Sequence, residues 1–269
     1  MTGLIKTSPV LVLILFTSSM QAQYREEFGE HELRNVQQSD STYRVNRVKV
    51  RRSLDPISNK LLVEMMFDKE GRITQMQYEP YLNGQTRTTY FFYQADGKLA
   101  SMKDVLIKGK PNANVIELIG KKKYDSAIKA VPGRAEYNYT LRYTNDSLTS
   151  LVCYRENGAK VRESLFSRGG LVHELHYFSG SPYQSTTTYI NNLNYPFLPV
   201  KVVLKNEGLN PNESRFEYLF DKNGLLVERI EHKKIFSPFH MHFNHDKNGL
   251  LVSAGEDWLD VKFEYKYWK

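Results

Sequence analysis

The chain carries one cysteine, Cys153, in 269 residues. No intrachain disulfide can form, so burial and hydrogen bonding must hold the fold. Cys153 alternates in phase with Leu151, which predicts a small buried hydrophobe rather than a reactive thiol. No cysteine stands just after the N-terminal apolar run, so a bacterial lipid anchor is not expected. That run, VLVLILF at residues 10–16, is far shorter than the roughly 20 residues a spanning helix needs. No later segment shows a helical period of apolar residues.

Catalytic signatures are also missing. There is no Gly-x-Ser-x-Gly elbow, no P-loop and no Cys-x-x-Cys pair. HELH at 173–176 is one residue short of the zincin spacing, which needs both histidines on one helical face. On a strand, His173 and His176 point to opposite faces. The net charge of +7 and pI near 9.2 allow weak attraction to acidic surfaces. The one dense basic run, Lys121–Lys123, reads as a solvated turn, so no nucleic-acid partner is expected.

What is present begins with a leader. Lys6, the apolar run and the small-residue exit TSSMQAQ form a secretory signal peptide, with cleavage expected after Ala22. The reading is export to periplasm, cell surface or medium. Residues 24–41 are polar and lack periodicity, as a linker or loosely docked arm would be. The organisation is therefore 1–22 signal peptide, 23–42 polar arm and 43–269 one repeat domain.

The repeat is visible in DKNGLLV, which occurs at 221–227 and again at 246–252. Looser copies follow Phe67, Tyr93, Tyr143 and Phe166, on a period of about 25 residues. Asp68, Asp221 and Asp246 open the turn, where a carboxylate can accept from backbone ahead of it. Gly71, Gly97, Gly170, Gly224 and Gly249 take the fifth aligned position, where a left-handed backbone is wanted, and Ser147 stands there in one copy. A type I turn followed by a left-handed glycine is a common hairpin connection. Two further degenerate copies are expected, at IGKKKYD and YINNLNYP.

Strands flank the turns with period-2 alternation. Phe216, Tyr218 and Phe220 oppose Arg215, Glu217 and Leu219; Phe263, Tyr265 and Tyr267 oppose Lys262, Glu264 and Lys266. The fold expected is all-β: antiparallel hairpin repeats forming a curved sheet or open barrel-like shell. The segment 121–136 interrupts the rhythm as a long loop or degenerate hairpin.

The pattern aromatic-Asp-x-x-Gly, best at Phe67–Gly71 and Phe220–Gly224, resembles the YD repeats of RHS and teneurin-like proteins. It also resembles the small exported YD-like proteins of Bacteroidetes. The resemblance implies hairpins wound into a continuous shell that serves as scaffold and binding surface, not catalyst. DST, DSA and DSL, beginning at Asp40, Asp125 and Asp146, resemble that phylum's O-glycosylation sites.

Candidate chemistry is sparse. In HMHFNHD, His240 and His242 share a strand face, and a His-x-His pair can hold a metal ion if His232 or Glu231 supplies a third ligand. The competing reading is a solvent-facing edge, with Met241 and Phe243 as core. Asn244–Gly249 nearly matches the start of an EF-hand loop, but Gly255 stands where the bidentate glutamate belongs. Glu256, Asp257 and Asp260 around Trp258 read as an exposed turn. Of the 18 tyrosines and 14 phenylalanines, most must be core, although exposed ones can stack on sugars.

Three functions follow. The first is a non-enzymatic exported binding or scaffold protein of the cell envelope, meeting a protein or glycan and needing no cofactor. The second is an outer-membrane β-barrel, which would make membrane insertion its route. The third is a metal-dependent enzyme using His240 and His242.

Overall fold

The computed structural model describes residues 43–55, 58–78, 85–109, 133–145, 147–168, 170–177, 184–193, 198–206, 210–233, 236–256 and 259–269. A short helical turn at residues 43–45 leads into sixteen strands among them. The first eight are β1 (Val48–Leu54), β2 (Leu61–Phe67), β3 (Ile73–Tyr78), β4 (Gln85–Tyr93), β5 (Leu99–Lys108), β6 (Arg134–Thr144), β7 (Ser147–Arg155) and β8 (Lys160–Ser167). The rest are β9 (Gly170–Tyr177), β10 (Gln184–Asn191), β11 (Pro199–Asn206), β12 (Asn212–Phe220), β13 (Leu226–Lys233), β14 (Phe239–His245), β15 (Leu251–Glu256) and β16 (Leu259–Tyr267).

Each strand pairs antiparallel with its sequence neighbours, and β1 pairs with β16, so the sheet closes into a barrel. The expected all-β hairpin shell is present, but closed rather than open. Closure removes both edges, which would otherwise offer unpaired backbone to other chains.

The turn chemistry explains the repeat. Asp221 N–H donates to Leu225 O at 2.9 Å and Gly224 N–H to Asp221 O at 3.0 Å. The Asp221 carboxylate accepts from Asn223 N–H at 2.8 Å and Leu225 N–H at 2.9 Å. Asp246 repeats both carboxylate contacts, at 2.8 and 2.9 Å. Asp68 accepts from Glu70 and Arg72 in the same way. Gly71, Gly97, Gly224 and Gly249 have φ between 78° and 87°, as a left-handed turn position requires.

Gly170 differs. It is the first residue of β9, paired with Ser167, and among the described residues of that turn the left-handed one is Arg168, at φ 50°. Ser147 likewise opens β7, and Asn145 turns the chain at φ 47°. Both hairpins have two-residue connections, so they need no glycine two places later. The connection at 192–198 joins β10 to β11 where YINNLNYP places a degenerate copy. IGKKKYD, most of 121–136 and the arm at 23–42 lie outside the described residues.

Strand alternation places seven connections at one end of the barrel: β2–β3, β4–β5, β6–β7, β8–β9, β10–β11, β12–β13 and β14–β15. The first and last described residues meet there too, through Trp268 N–H to Arg47 O at 2.8 Å. The end is floored by aromatics: Tyr43 packs 4.3 Å from Phe67, and Arg51 Nη1 donates to Tyr43 Oη at 2.8 Å.

Register partners share a face, so pairing assigns every side chain to the lumen or the outer wall. Val63, Met65 and Phe67 of β2 point inward with Met76, Phe91 and Met102 in one buried cluster. Cys153 and Leu151 belong to it, as the alternation predicts. Fully burying a side chain such as Met65 is worth about 1.5–3 kcal/mol. The packing is uneven. Across β11 and β12 the inward Val202, Leu204, Phe216, Tyr218 and Phe220 remain only half-buried.

Candidate functional site in the barrel lumen

Above the aromatic floor, charged and polar side chains point inward in phase with the apolar ones. On β4 and β5, Asp104 is 3% exposed and accepts three hydrogen bonds of 2.6 Å, from Thr89 Oγ1, Tyr139 Oη and Arg87 Nη2. A buried carboxylate is tolerated only when its oxygens are so occupied. Burial, with the Asp104 charge adding to it, pushes the Tyr139 hydroxyl well above its ordinary pKa. Tyr139 thus stays a donor.

The second cluster lies two strands on. Tyr139, Cys153, Arg162 and His176 occupy one row across β6–β9, and Leu141, Leu151, Ser164 and Glu174 the next. Glu174 is 4% exposed; it accepts from Ser164 Oγ at 3.1 Å and pairs with His176 Nε2 at 2.5 Å. Arg162 Nη1 stands 4.0 Å from Glu174 Oε2, within Coulombic range but beyond hydrogen-bond distance. Burial works against the Glu174 charge, yet the His176 hydrogen bond and the Arg162 charge outweigh it and hold the carboxyl below its usual range.

Beside this cluster is a cavity of about 40 Å³. Its walls are mostly apolar, including Met102, Leu141, Leu151 and Phe166, with Arg162, Ser164 and Glu174 as the polar part. A mostly apolar pocket with a few convergent polar groups and a perturbed carboxyl is the usual form of a binding site. Ser164 donates to a carboxylate rather than to an imidazole, so this is not the arrangement that activates a serine nucleophile.

The histidines singled out by their spacing lie on the opposite surface. His240 and His242 point outward from β14, and His240 Nδ1 is 2.7 Å from Glu228 Oε1 of β13. His232 is also outward, 3.0 Å from Glu217. Glu231 is inward, buried and paired with Lys233 at 3.1 Å, so it cannot join the histidines. Among the described residues no group of three or more His, Cys, Asp or Glu side chains is placed to hold a metal ion. His173 and His176 do face opposite sides, His173 outward toward Thr188 and His176 to the lumen. Of the acidic residues around Trp258, Asp257 lies outside the described residues with Trp258 itself. Asp260 accepts from Ser253 Oγ at 3.1 Å.

The luminal polar residues escaped the motif search because no short motif holds them. Their one signal is a charge in phase with the apolar face: Asp104 in step with Met102, Arg162 and Ser164 in step with Phe166.

No family model and no curated protein matches the sequence. Solved structures do. A porin-like protein from Bacteroides vulgatus shares 10% identity over 81% of this chain and 98% of that one, with a TM-score of 0.38. A porin-like protein from Bacteroides uniformis shares 11% over 81% and 98%, with a TM-score of 0.35. A structure of TcdB2-TccC3-Cdc42 shares 10% over 80% of this chain and 14% of that one, at 0.27. Similarity this low carries no argument about what the barrel does, and the YD-repeat family is not shown by it.

Proposed function

We propose that this chain is an exported β-barrel whose outer wall meets water and whose lumen holds a ligand, so that it acts by binding and not by catalysis. The sorting of side chains between the two faces carries the reading. On β12 and β16 the aromatic residues point inward and the outward positions bear Glu213, Arg215, Glu217, Lys262, Glu264 and Lys266, while elsewhere Tyr90, Phe92, Ile107, Leu165, Ile190 and Leu219 are exposed on the outer wall. Lys103 and Glu136 form an outward ion pair at 2.5 Å in the middle of the wall. A barrel in a bilayer needs the reverse, an outward apolar band about 25 Å tall, and a Lys or Arg at its midplane costs about 2–4 kcal/mol. Export is inferred from the leader. The cavity beside Glu174 is one place among the described residues where a ligand could sit.

A second reading, an outer-membrane β-barrel, has its own support. The barrel is closed and antiparallel, with an even number of strands among the described residues. Its tight turns and both described chain ends gather at one end, as in barrels with short periplasmic turns. Exposed Tyr90 and Phe92 lie together on the outside of β4.

The experiment is to express residues 23–269 without the leader and run gel filtration in detergent-free buffer. A monodisperse species with β-type circular dichroism is expected. Aggregation that resolves only in detergent would overturn the water-facing reading in favour of the membrane one.

A further inference from the structure

We propose that the outer wall of β3–β5 binds an uncharged, extended oligosaccharide, with Tyr90 and Phe92 stacked on its sugar rings. The assignment rests on the reading of the outer wall as water-facing and adds a ligand surface outside the lumen.

Register places the side chains. Tyr90 stands between Gln75 and Lys103, and Phe92 beside Ser101. The next row holds Gln77, Thr88 and Val105, and the one after it Thr86 and Ile107. These positions alternate with the inward Met76, Thr89 and Asp104, so they face outward. Tyr90 is 37% exposed and Phe92 49%. Two residues apart on β4, their attachment points lie about 7 Å apart along the strand.

Charge and hydrogen bonding select the ligand class. Among the described outward residues of β3–β5, Lys103 carries the one charge, and Glu136 of β6 pairs with it at 2.5 Å. A face without net charge has no grip on anionic lipid or nucleic acid. Its polar side chains are carboxamides and hydroxyls, which both donate and accept, as sugar hydroxyls do. Among the described residues, no hydrogen bond engages the side chains of Gln75, Gln77, Thr88 or Ser101.

Area separates a glycan from a protein. Three strands about 4.8 Å apart and four rows about 7 Å apart give a face of about 350 Å². A standard protein interface takes about 800 Å² from each partner. The flanking strands bring charge back, with Glu64 beside Gln77 and Arg134 beside Ile107. Two rings in line along one strand suit a straight chain. β-1,4-linked sugars run straight and offer a flat face of C–H groups to an aromatic ring, whereas an α-1,4-linked chain coils away from the wall.

The test is an NMR titration of the chain 23–269 with cellohexaose, maltohexaose and β-1,4-linked hexamannuronate. Expected are saturable shifts at backbone amides of β3–β5 with cellohexaose, and at least tenfold weaker binding of the other two. Tyr90→Ala and Phe92→Ala should each weaken cellohexaose at least tenfold. Phe236→Ala, which removes an exposed ring between β13 and β14, should leave binding unchanged. If an alanine variant loses its spectral dispersion, Thr88→Glu, which sets a carboxylate next to Tyr90 and keeps both rings, should weaken cellohexaose at least tenfold. Equal or tighter binding of maltohexaose or hexamannuronate, insensitivity to all three wall variants, or no saturable shift with cellohexaose would overturn the assignment. Shifts at β3–β5 that follow protein concentration alone would also overturn it, giving the face to a second copy of the chain. A well-dispersed, detergent-free barrel that ignores cellohexaose sinks this ligand alone. A barrel that requires detergent sinks the water-facing reading and gives Tyr90 and Phe92 to lipid.

Discussion

Tyr143 reaches back 44 residues in sequence to donate its hydroxyl to the backbone carbonyl of Leu99 at 2.8 Å. The contact joins the end of β6 to the first residue of β5, and it recurs. Tyr93 donates to Ile73 O at 2.9 Å, Tyr218 to Pro199 O at 2.7 Å and Tyr265 to Leu251 O at 2.6 Å. Each acceptor is the first residue of the preceding strand. The aromatic beside the turn therefore serves twice, its ring flooring the barrel and its hydroxyl satisfying a carbonyl where the ladder begins.

Removing one clasp should cost the net worth of a hydrogen bond. Tyr143→Phe keeps the ring and is expected to destabilise by about 0.5–1.5 kcal/mol. Tyr93→Phe should do the same, and the pair should be additive because the contacts share no residue. Urea unfolding curves of the three variants check this; a loss above about 3 kcal/mol for one hydroxyl would mean that the clasp holds more than a carbonyl.

These contacts also show how much of the fold was legible beforehand. The period of Asp-x-x-Gly and the alternation of Phe216, Tyr218 and Phe220 suffice for antiparallel hairpins with one apolar face, because turn chemistry and pleat are local. Closure is not local. It depends on Val48 meeting Tyr267 across the whole domain, and no short-range pattern encodes that pairing. Gly170 was misplaced for a related reason: a heptad alignment cannot tell a turn of two residues from a longer one with a bulge. His240 and His242 stood out by spacing, but they face outward from β14, where His240 finds Glu228 and, among the described residues, no third ligand. Asp104 and Glu174 carry no spacing signal and became visible only when the register placed their partners around them.

Asp104 is the acceptor on which its cluster converges, so its loss should exceed that of any one donor. Asp104→Ala leaves the Arg87 charge, Thr89 and Tyr139 without their shared partner. A wholly buried pair broken in this way costs about 3–5 kcal/mol, and because the Arg87 side chain is 40% exposed the cost here should lie at or below the bottom of that range. Tyr139→Phe removes one bond and should cost about 1.5–3 kcal/mol, the worth of a hydrogen bond to a charged group. A double-mutant cycle between the two positions measures their coupling. If both variants lost the same small amount, the carboxylate would not be buried as the geometry has it.

Gly224 tests the turn. A Cβ there meets nothing within 4 Å, so a side chain has space and only the backbone, at φ 79°, objects. Gly224→Ala is expected to cost about 1–2 kcal/mol, and Gly224→Asn less, since asparagine tolerates that region. Gly170→Ala lacks this backbone penalty, because Gly170 opens β9 and is not among the glycines with a left-handed backbone. Thermal midpoints of the three variants should rank accordingly.

The acid sensitivity of the barrel should trace to Glu174. Its carboxyl is held below its usual range by His176 and Arg162 despite burial, so the folded state favours the charged form more than the unfolded chain does. A carboxyl depressed in this way contributes stability that is complete above its unfolded pKa, about 4.3. That contribution fades as pH falls through the lower folded value, where protonation costs the ion pair with Arg162. Unfolding free energy should therefore be flat in this term from neutrality to about pH 5 and then drop. Glu174→Gln removes this carboxyl and leaves His176 in place, so the difference between wild type and variant that the carboxyl contributes should shrink as the solution is acidified below about pH 4. Urea titrations at a series of pH values measure that difference directly. A gap that stayed constant from neutrality down to pH 2 would mean that the Glu174 carboxyl binds its proton alike in the folded and unfolded chain, and that His176 and Arg162 do not hold it charged.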